Sequence, residues 1–235
     1  PDLPPPPPPP PRDRDDRFIG DFRPVRKLGE GGMGVVYEAE QQHPRRPVAL
    51  KVIRGGAHVS PDTLKLFQRE AQTLARLRHP GIAALYETGA TEEGLHFFAM
   101  ELVRGSTLTA WLGQRPAGPL TPHEVKLRLS ILKRICDAVA YAHQKGVIHR
   151  DLKPANVLIP KPTAGSSIPD EVPDVKVLDF GLARITDSDV QATTYVTEMG
   201  KIRGTLPYMS PEQVRGNPDE IDLRTDVYAL GVMLY

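Results

Sequence analysis

His149-Arg150-Asp151-Leu152-Lys153-Pro154-Ala155-Asn156 sits just after a helix-type pattern, in a loop that Pro154 stiffens. It puts a carboxylate, an ammonium and an amide at positions i, i+2 and i+5. A carboxylate can accept a hydroxyl proton, an ammonium can neutralise a phosphoryl group, and an amide oxygen can bind a hard cation. A charged loop that merely faces water has no need of this order.

Working outward, Asp179-Phe180-Gly181 follows Asn156 by 23 positions, straight after the strand-like residues 175–178. A carboxylate at a strand end suits a Mg²⁺ ligand, and the glycine allows an unusual backbone angle. Upstream lies Gly29-Glu30-Gly31-Gly32-Met33-Gly34-Val35-Val36. In a dinucleotide fold the third glycine would open a helix. Here a β-branched and aromatic run follows Gly34, so the spacing predicts a hairpin whose backbone N–H groups can approach phosphates. Lys51 lies in the apolar strand Val48-Ala49-Leu50-Lys51-Val52-Ile53, where a lysine ordinarily points to solvent. Glu70 stands in a helical strip between Leu66 and Leu74 and needs a cationic partner, for which Lys51 is a candidate.

The rest of the chain frames these motifs. Strands are expected over 22–28, 34–40, 47–53, 82–89 and 95–102, and a helix from Ser60-Pro61 to His79-Pro80-Gly81. Residues 105–118 read as irregular. A long helix begins at the Thr121-Pro122-His123-Glu124 capping box and ends near Gly146. Short strands follow at 157–159 and 175–178, with a proline-rich loop over 160–174 between them. Residues 181–217 are polar, and a last apolar helix covers 225–235. Residues 1–17, with a proline run from Pro4 to Pro11, read as a polyproline and charged tail. The division expected is this tail, a strand-rich unit over 18–103 and a helical unit over 104–235.

Composition narrows the function. Among 235 residues Lys plus Arg is 30 and Asp plus Glu is 29, a net charge of +1 that gives no bulk reason to bind nucleic acid. The single cysteine, Cys136, excludes an intrachain disulfide and a cysteine zinc cage, and fits a reducing compartment. No apolar run reaches membrane-spanning length. The seven histidines lack metal-ligand spacing, which argues against a metal hydrolase.

These motifs, in this order, resemble a eukaryotic-type serine/threonine protein kinase of the bacterial kind over about residues 20–235. Gly204-Thr205 and Tyr208-Met209-Ser210-Pro211-Glu212-Gln213 complete the set. The resemblance implies an α+β bilobal fold, ATP and Mg²⁺ as cofactors, and transfer of the γ-phosphoryl to Ser/Thr hydroxyls of proteins. It makes Asp151 the residue that accepts the hydroxyl proton, Lys153 the stabiliser of the moving phosphoryl and Lys51, held by Glu70, the α/β-phosphate contact. Thr205 would bond within the catalytic loop, and Asn156 and Asp179 would bind Mg²⁺. Gly29, Glu30, Gly31, Gly32, Met33 and Gly34 would cover the phosphates. Val36, Ala49 and Leu158 would sandwich adenine, with Met100 as its gate and Glu101 to Val103 as its hinge. Leu74, Leu85, His149 and Phe180 would stack, anchored by Asp226. Arg150 would pair with a phosphorylated activation-segment residue, Thr197 first, then Thr193 and Thr194.

Three departures stand out: Ser210 in place of the usual Ala, a long loop over 160–174, and a large lobe expected to continue past Tyr235. The last leads us to expect poor stability or activity of the chain alone. A homodimer for trans-autophosphorylation and an SH3- or WW-like partner for the proline run are the further partners considered. A cytoplasmic location is expected, with any membrane tether in a longer parent. The competing reading is a pseudokinase or proline-rich scaffold; the presence of Lys51, Glu70, Asp151, Asn156 and Asp179 argues against it.

Overall fold

The alternation of β-branched and polar residues from Phe22 onward produces strands β1 (Phe22–Gly31), β2 (Gly34–Gln41) and β3 (Arg46–Ile53). A computed structural model gives the architecture and describes residues 18–31, 34–53, 73–91, 94, 96–115, 118–161, 172–180 and 206–235. With β4 (Leu85–Ala90) and β5 (His96–Glu101) these strands form an antiparallel five-stranded sheet, ordered β1-β2-β3-β5-β4. Period-two alternation gives the sheet two working faces. Phe22, Ala39, Val48, Leu50, Phe97 and Ala99 bury on one. The register pairs Val36 with Lys51, Lys51 with Phe98 and Ala49 with Met100, so these residues share the other face.

That second face meets the larger core. It contains Leu74, Leu77, Ile82, Leu85 and Phe98 from the sheet side and Ile131, Ile135, Ala138, Val139 and Ala142 from the long helix α2 (Pro122–Gln144). The side chain of Thr121 caps α2 by accepting from the Glu124 amide, with Pro122 in the first turn. The expected capping box is half realised. Glu124 turns its carboxylate to Arg115 and Arg128 instead of back to the cap. Gly146, at φ +75°, turns the chain after the helix.

Two differences from the sequence expectation concern short elements. Residues 105–118 are not wholly irregular: strand β6 (Gly105–Thr107) leads into α1 (Leu108–Gly113), capped by Thr107. β6 pairs with β7 (Val157–Pro160), which pairs with β8 (Lys176–Val177). Gly105 is demanded by this pairing, since a Cβ there would fall on the Ile159 carbonyl. The polar 181–217 region contains the short helix α3 (Pro211–Arg215). The last helix, α4 (Leu223–Leu234), begins two residues before the expected Thr225, with Asp222 as its cap. Among the described residues no helix is long and apolar enough to cross a membrane.

Candidate active site

The loop after α2 is built around a buried carboxylate. Asp226, in the first turn of α4, is 1% exposed. One of its oxygens accepts from the His149 amide at 2.8 Å and lies 2.7 Å from His143 Nε2; the other accepts from the Arg150 amide at 2.9 Å. Burial alone would raise its pKa. The His143 hydrogen bond, the nearby His149 ring and the two amides outweigh it and hold the carboxyl below the ordinary value. His149 is fully buried; its Nε2 lies 2.8 Å from the Leu178 carbonyl and its ring 4.7 Å from that of Phe180. Leu74, Leu85 and Phe180 share the surrounding core. The grip on two successive amides sustains Arg150 at φ +69°, a left-handed angle that a side chain resists.

From this anchor the loop projects Asp151, Lys153 and Asn156 into one cluster. Lys153 Nζ lies 2.9 Å from the Asp151 carboxylate. Asn156 Nδ2 donates to the Asp151 carbonyl at 2.7 Å and to its Oδ2 at 3.0 Å. With the nitrogen end of Asn156 so engaged, its oxygen is the end left to face a cation. The 3₁₀ turn over Pro154–Asn156 fixes this spacing.

Lys51 is buried, against the ordinary expectation for a strand lysine, and its Nζ lies 2.6 Å from Asp179 Oδ2. The pair joins β3 to a residue two positions past β8. Asp179 has φ +58°, a second strained residue in the same neighbourhood. Glu70, the expected partner of Lys51, lies outside the described residues, as do Gly32, Met33, Thr205 and the candidate phosphosites.

The glycines divide by role. Gly34 adopts φ +150°, and a Cβ there would fall on the Val52 carbonyl, so β2–β3 pairing requires it. A Cβ on Gly29 or Gly31 would meet nothing within 4 Å. Packing does not demand these two, and the space beside them suits an approaching ligand. Glu30 forms an ion pair with Lys27. Val36, Ala49, Lys51 and Met100 lie on the sheet face toward the loop, and Leu158 on β7 points away from the buried Val157 and Ile159. Val103 lies two residues past the end of β5 at Glu101.

Sequence reasoning missed two contributors. Lys176 Nζ reaches Glu101 Oε2 at 2.8 Å, and the same oxygen accepts from the Ala84 amide at 3.2 Å. This joins the β5 end to β8, three residues before Asp179. Gln213 donates to the Arg150 carbonyl at 2.6 Å. Both are long-range pairings, and no local pattern announces them. The donor set fits Mg²⁺: one amide oxygen and one carboxylate leave room for the waters and phosphate oxygens this ion prefers.

Residues 22–235 match the family described as "Protein kinase domain". "Serine/threonine-protein kinase PknB" of Mycobacterium leprae is 41% identical over 225 residues, covering 94% of this chain and 32% of the relative. "Serine/threonine-protein kinase PrkC" of Bacillus subtilis is 36% identical, covering 93% and 30%. The chain thus spans about a third of the length of these curated relatives. A crystal structure of the Mycobacterium tuberculosis PknI kinase domain superposes with a TM-score of 0.68 at 28% identity, covering 93% of this chain and 72% of that one.

Proposed function

Because the chain belongs to the protein kinase family, we propose that it carries the ATP- and Mg²⁺-dependent serine/threonine kinase activity of its parent protein. The observation that carries the reading is the Asp151 cluster. A carboxylate is held at fixed angle by an ammonium and an amide, in a loop anchored to buried Asp226.

The chemistry follows from these positions. Asp151 Oδ accepts the proton of a Ser or Thr hydroxyl as its oxygen attacks the γ-phosphorus of ATP. The new P–O bond forms as the bond to the β-phosphate oxygen breaks, and ADP leaves. Lys153, beside Asp151, balances charge on the phosphoryl in flight. Lys51 contacts the α- and β-phosphates. Asn156 and Asp179 would hold Mg²⁺, which would supply charge neutralisation to the phosphate oxygens. Val36, Ala49 and Leu158 enclose adenine, Met100 limits its depth, and the Glu101–Val103 backbone meets its edge. Protein substrates and ATP are the partners. Residues 18–103 and 104–235 serve as nucleotide-covering lobe and substrate lobe; the tail expected over 1–17 lies outside the described residues.

Activation follows from phosphate on the segment after Asp179. A phosphate adds roughly −2 charge that Arg150 can bind, and Thr197 is the favoured acceptor. Incubation with Mg²⁺ and γ-labelled ATP, in the presence of a protein acceptor, followed by peptide mapping, tests both levels. Phosphoserine or phosphothreonine is expected on the acceptor and on threonines within 186–205. Its absence from 186–205 contradicts the activation step. Absence from the parent protein and acceptor alike, with the parent protein in place of the chain, contradicts the kinase reading.

A further inference from the structure

The peptide linking Arg150 to Asp151 is gripped from outside its own loop. Arg150 is in the left-handed region, so neighbours must hold it there. Asp226 holds its N–H, as described above. Its C=O, which belongs to the peptide plane leading directly into Asp151, accepts from Gln213 Nε2 at 2.6 Å.

Gln213 has no freedom to turn that amide around. Its Oε1 accepts from the Ser210 amide at 3.1 Å and lies 3.4 Å from Ser210 Oγ, the reverse arm of a capping box on α3. A carbonyl oxygen must accept and an amide nitrogen must donate, so the cap fixes which end faces Arg150. Ser210 is itself fully buried, and its hydroxyl lies 3.5 Å from Thr225 Oγ1, which donates to Glu212 at 2.8 Å. The hydroxyl that replaces the usual Ala methyl is thus buried between the cap and the first turn of α4.

We propose that Gln213 is a positioning residue for phosphoryl transfer: its side-chain amide couples the cap of α3 to the Arg150–Asp151 peptide and sets the angle at which Asp151 meets the substrate hydroxyl. The claim rests on the kinase reading for its chemistry and on the described contacts for its geometry. It gives Ser210 and α3 a direct mechanical link to the residue that takes the proton.

The test compares the wild-type parent protein with its Gln213→Glu and Gln213→Met variants. The first keeps the shape, but sets a carboxylate oxygen against the Arg150 carbonyl. The second keeps the length and removes both hydrogen bonds. In each variant kcat is expected to fall about 10-fold or more while KM for ATP stays within about two-fold, because small misplacements of a reacting group are costly. Hydrogen exchange over residues 149–152 is expected to quicken about 10-fold, with residues 131–142 of α2 unchanged. Unchanged kcat and unchanged exchange at 149–152 would overturn the proposal. So would a uniform rise in exchange through α2 with kcat and KM both affected, which marks a merely structural role. A wild-type parent protein with no transfer to any acceptor contradicts the kinase reading instead, and the exchange comparison still decides whether Gln213 holds the loop.

Discussion

Asp151→Asn lowers kcat by about 10²–10⁴-fold, the range a positioned general base contributes, and leaves ATP affinity within about two-fold. The substitution keeps the shape of the side chain and removes its ability to take a proton. Lys153 and Asn156 both point donors at the Asp151 carboxylate. Oδ2 lies 2.9 Å from Lys153 Nζ and 3.0 Å from Asn156 Nδ2, so an amide oxygen in that place still accepts from both, and only the NH2 that replaces Oδ1 faces Lys153 as a second donor. Neither effect reaches the sheet face that carries Val36, Ala49 and Lys51. Steady-state kinetics paired with nucleotide titration separates the two quantities. An equal loss of kcat and ATP affinity would show that Asp151 supports the nucleotide site, not the hydroxyl.

Asp226→Ala produces the second large effect, on stability as much as on rate. The substitution leaves the His149 and Arg150 amides and the His143 ring without their acceptor. Removing one partner from a buried charged network costs about 3–5 kcal/mol. At roughly 2–4 °C per kcal/mol for a chain of this size, Tm falls by about 6–20 °C. Asp226→Asn keeps one acceptor and falls between. The pH dependence has a definite sign. The Asp226 carboxyl is depressed in the fold, so the unfolded chain takes up its proton first as pH falls. Its contribution is complete above the ordinary value of 3.8 and is lost as pH drops through the lower folded value. The Tm gap between wild type and Asp226→Asn should persist at pH 5–7 and close only below about pH 4. A gap that closed on raising the pH instead would contradict the assignment.

Legibility in the sequence tracks the range of the interaction. The Asp151, Lys153 and Asn156 cluster is readable because all three residues lie within six positions and a 3₁₀ turn fixes their spacing. The five-strand sheet is readable because period-two alternation is local. β6, α1 and α3 are too short for periodicity to register, and what stabilises β6 is its pairing with β7, 50 or so positions away. Thr121 reads correctly as a cap, but the destination of the Glu124 carboxylate depends on Arg115 and Arg128. Burial of Lys51 follows from the packing of the sheet on the larger core, and its partner Asp179 lies 128 positions away. Gln213 stands within a motif that sequence reading singled out, yet its role depends on where the Arg150 carbonyl points, which no residue pattern encodes. Glu70, Thr205 and the activation-segment threonines stand as they did from sequence, outside the described residues.

In the proposed function the Lys51–Asp179 pair and the Asp151–Asn156 loop bracket one Mg²⁺-nucleotide. Calorimetric titration of ATP, with and without Mg²⁺, into wild type and Asp179→Asn tests it most directly. The account predicts ATP binding that Mg²⁺ strengthens about 10-fold or more in wild type, with that gain lost in Asp179→Asn, because the ion's carboxylate ligand is gone. ATP affinity indifferent both to Mg²⁺ and to the Asp179 substitution would contradict it.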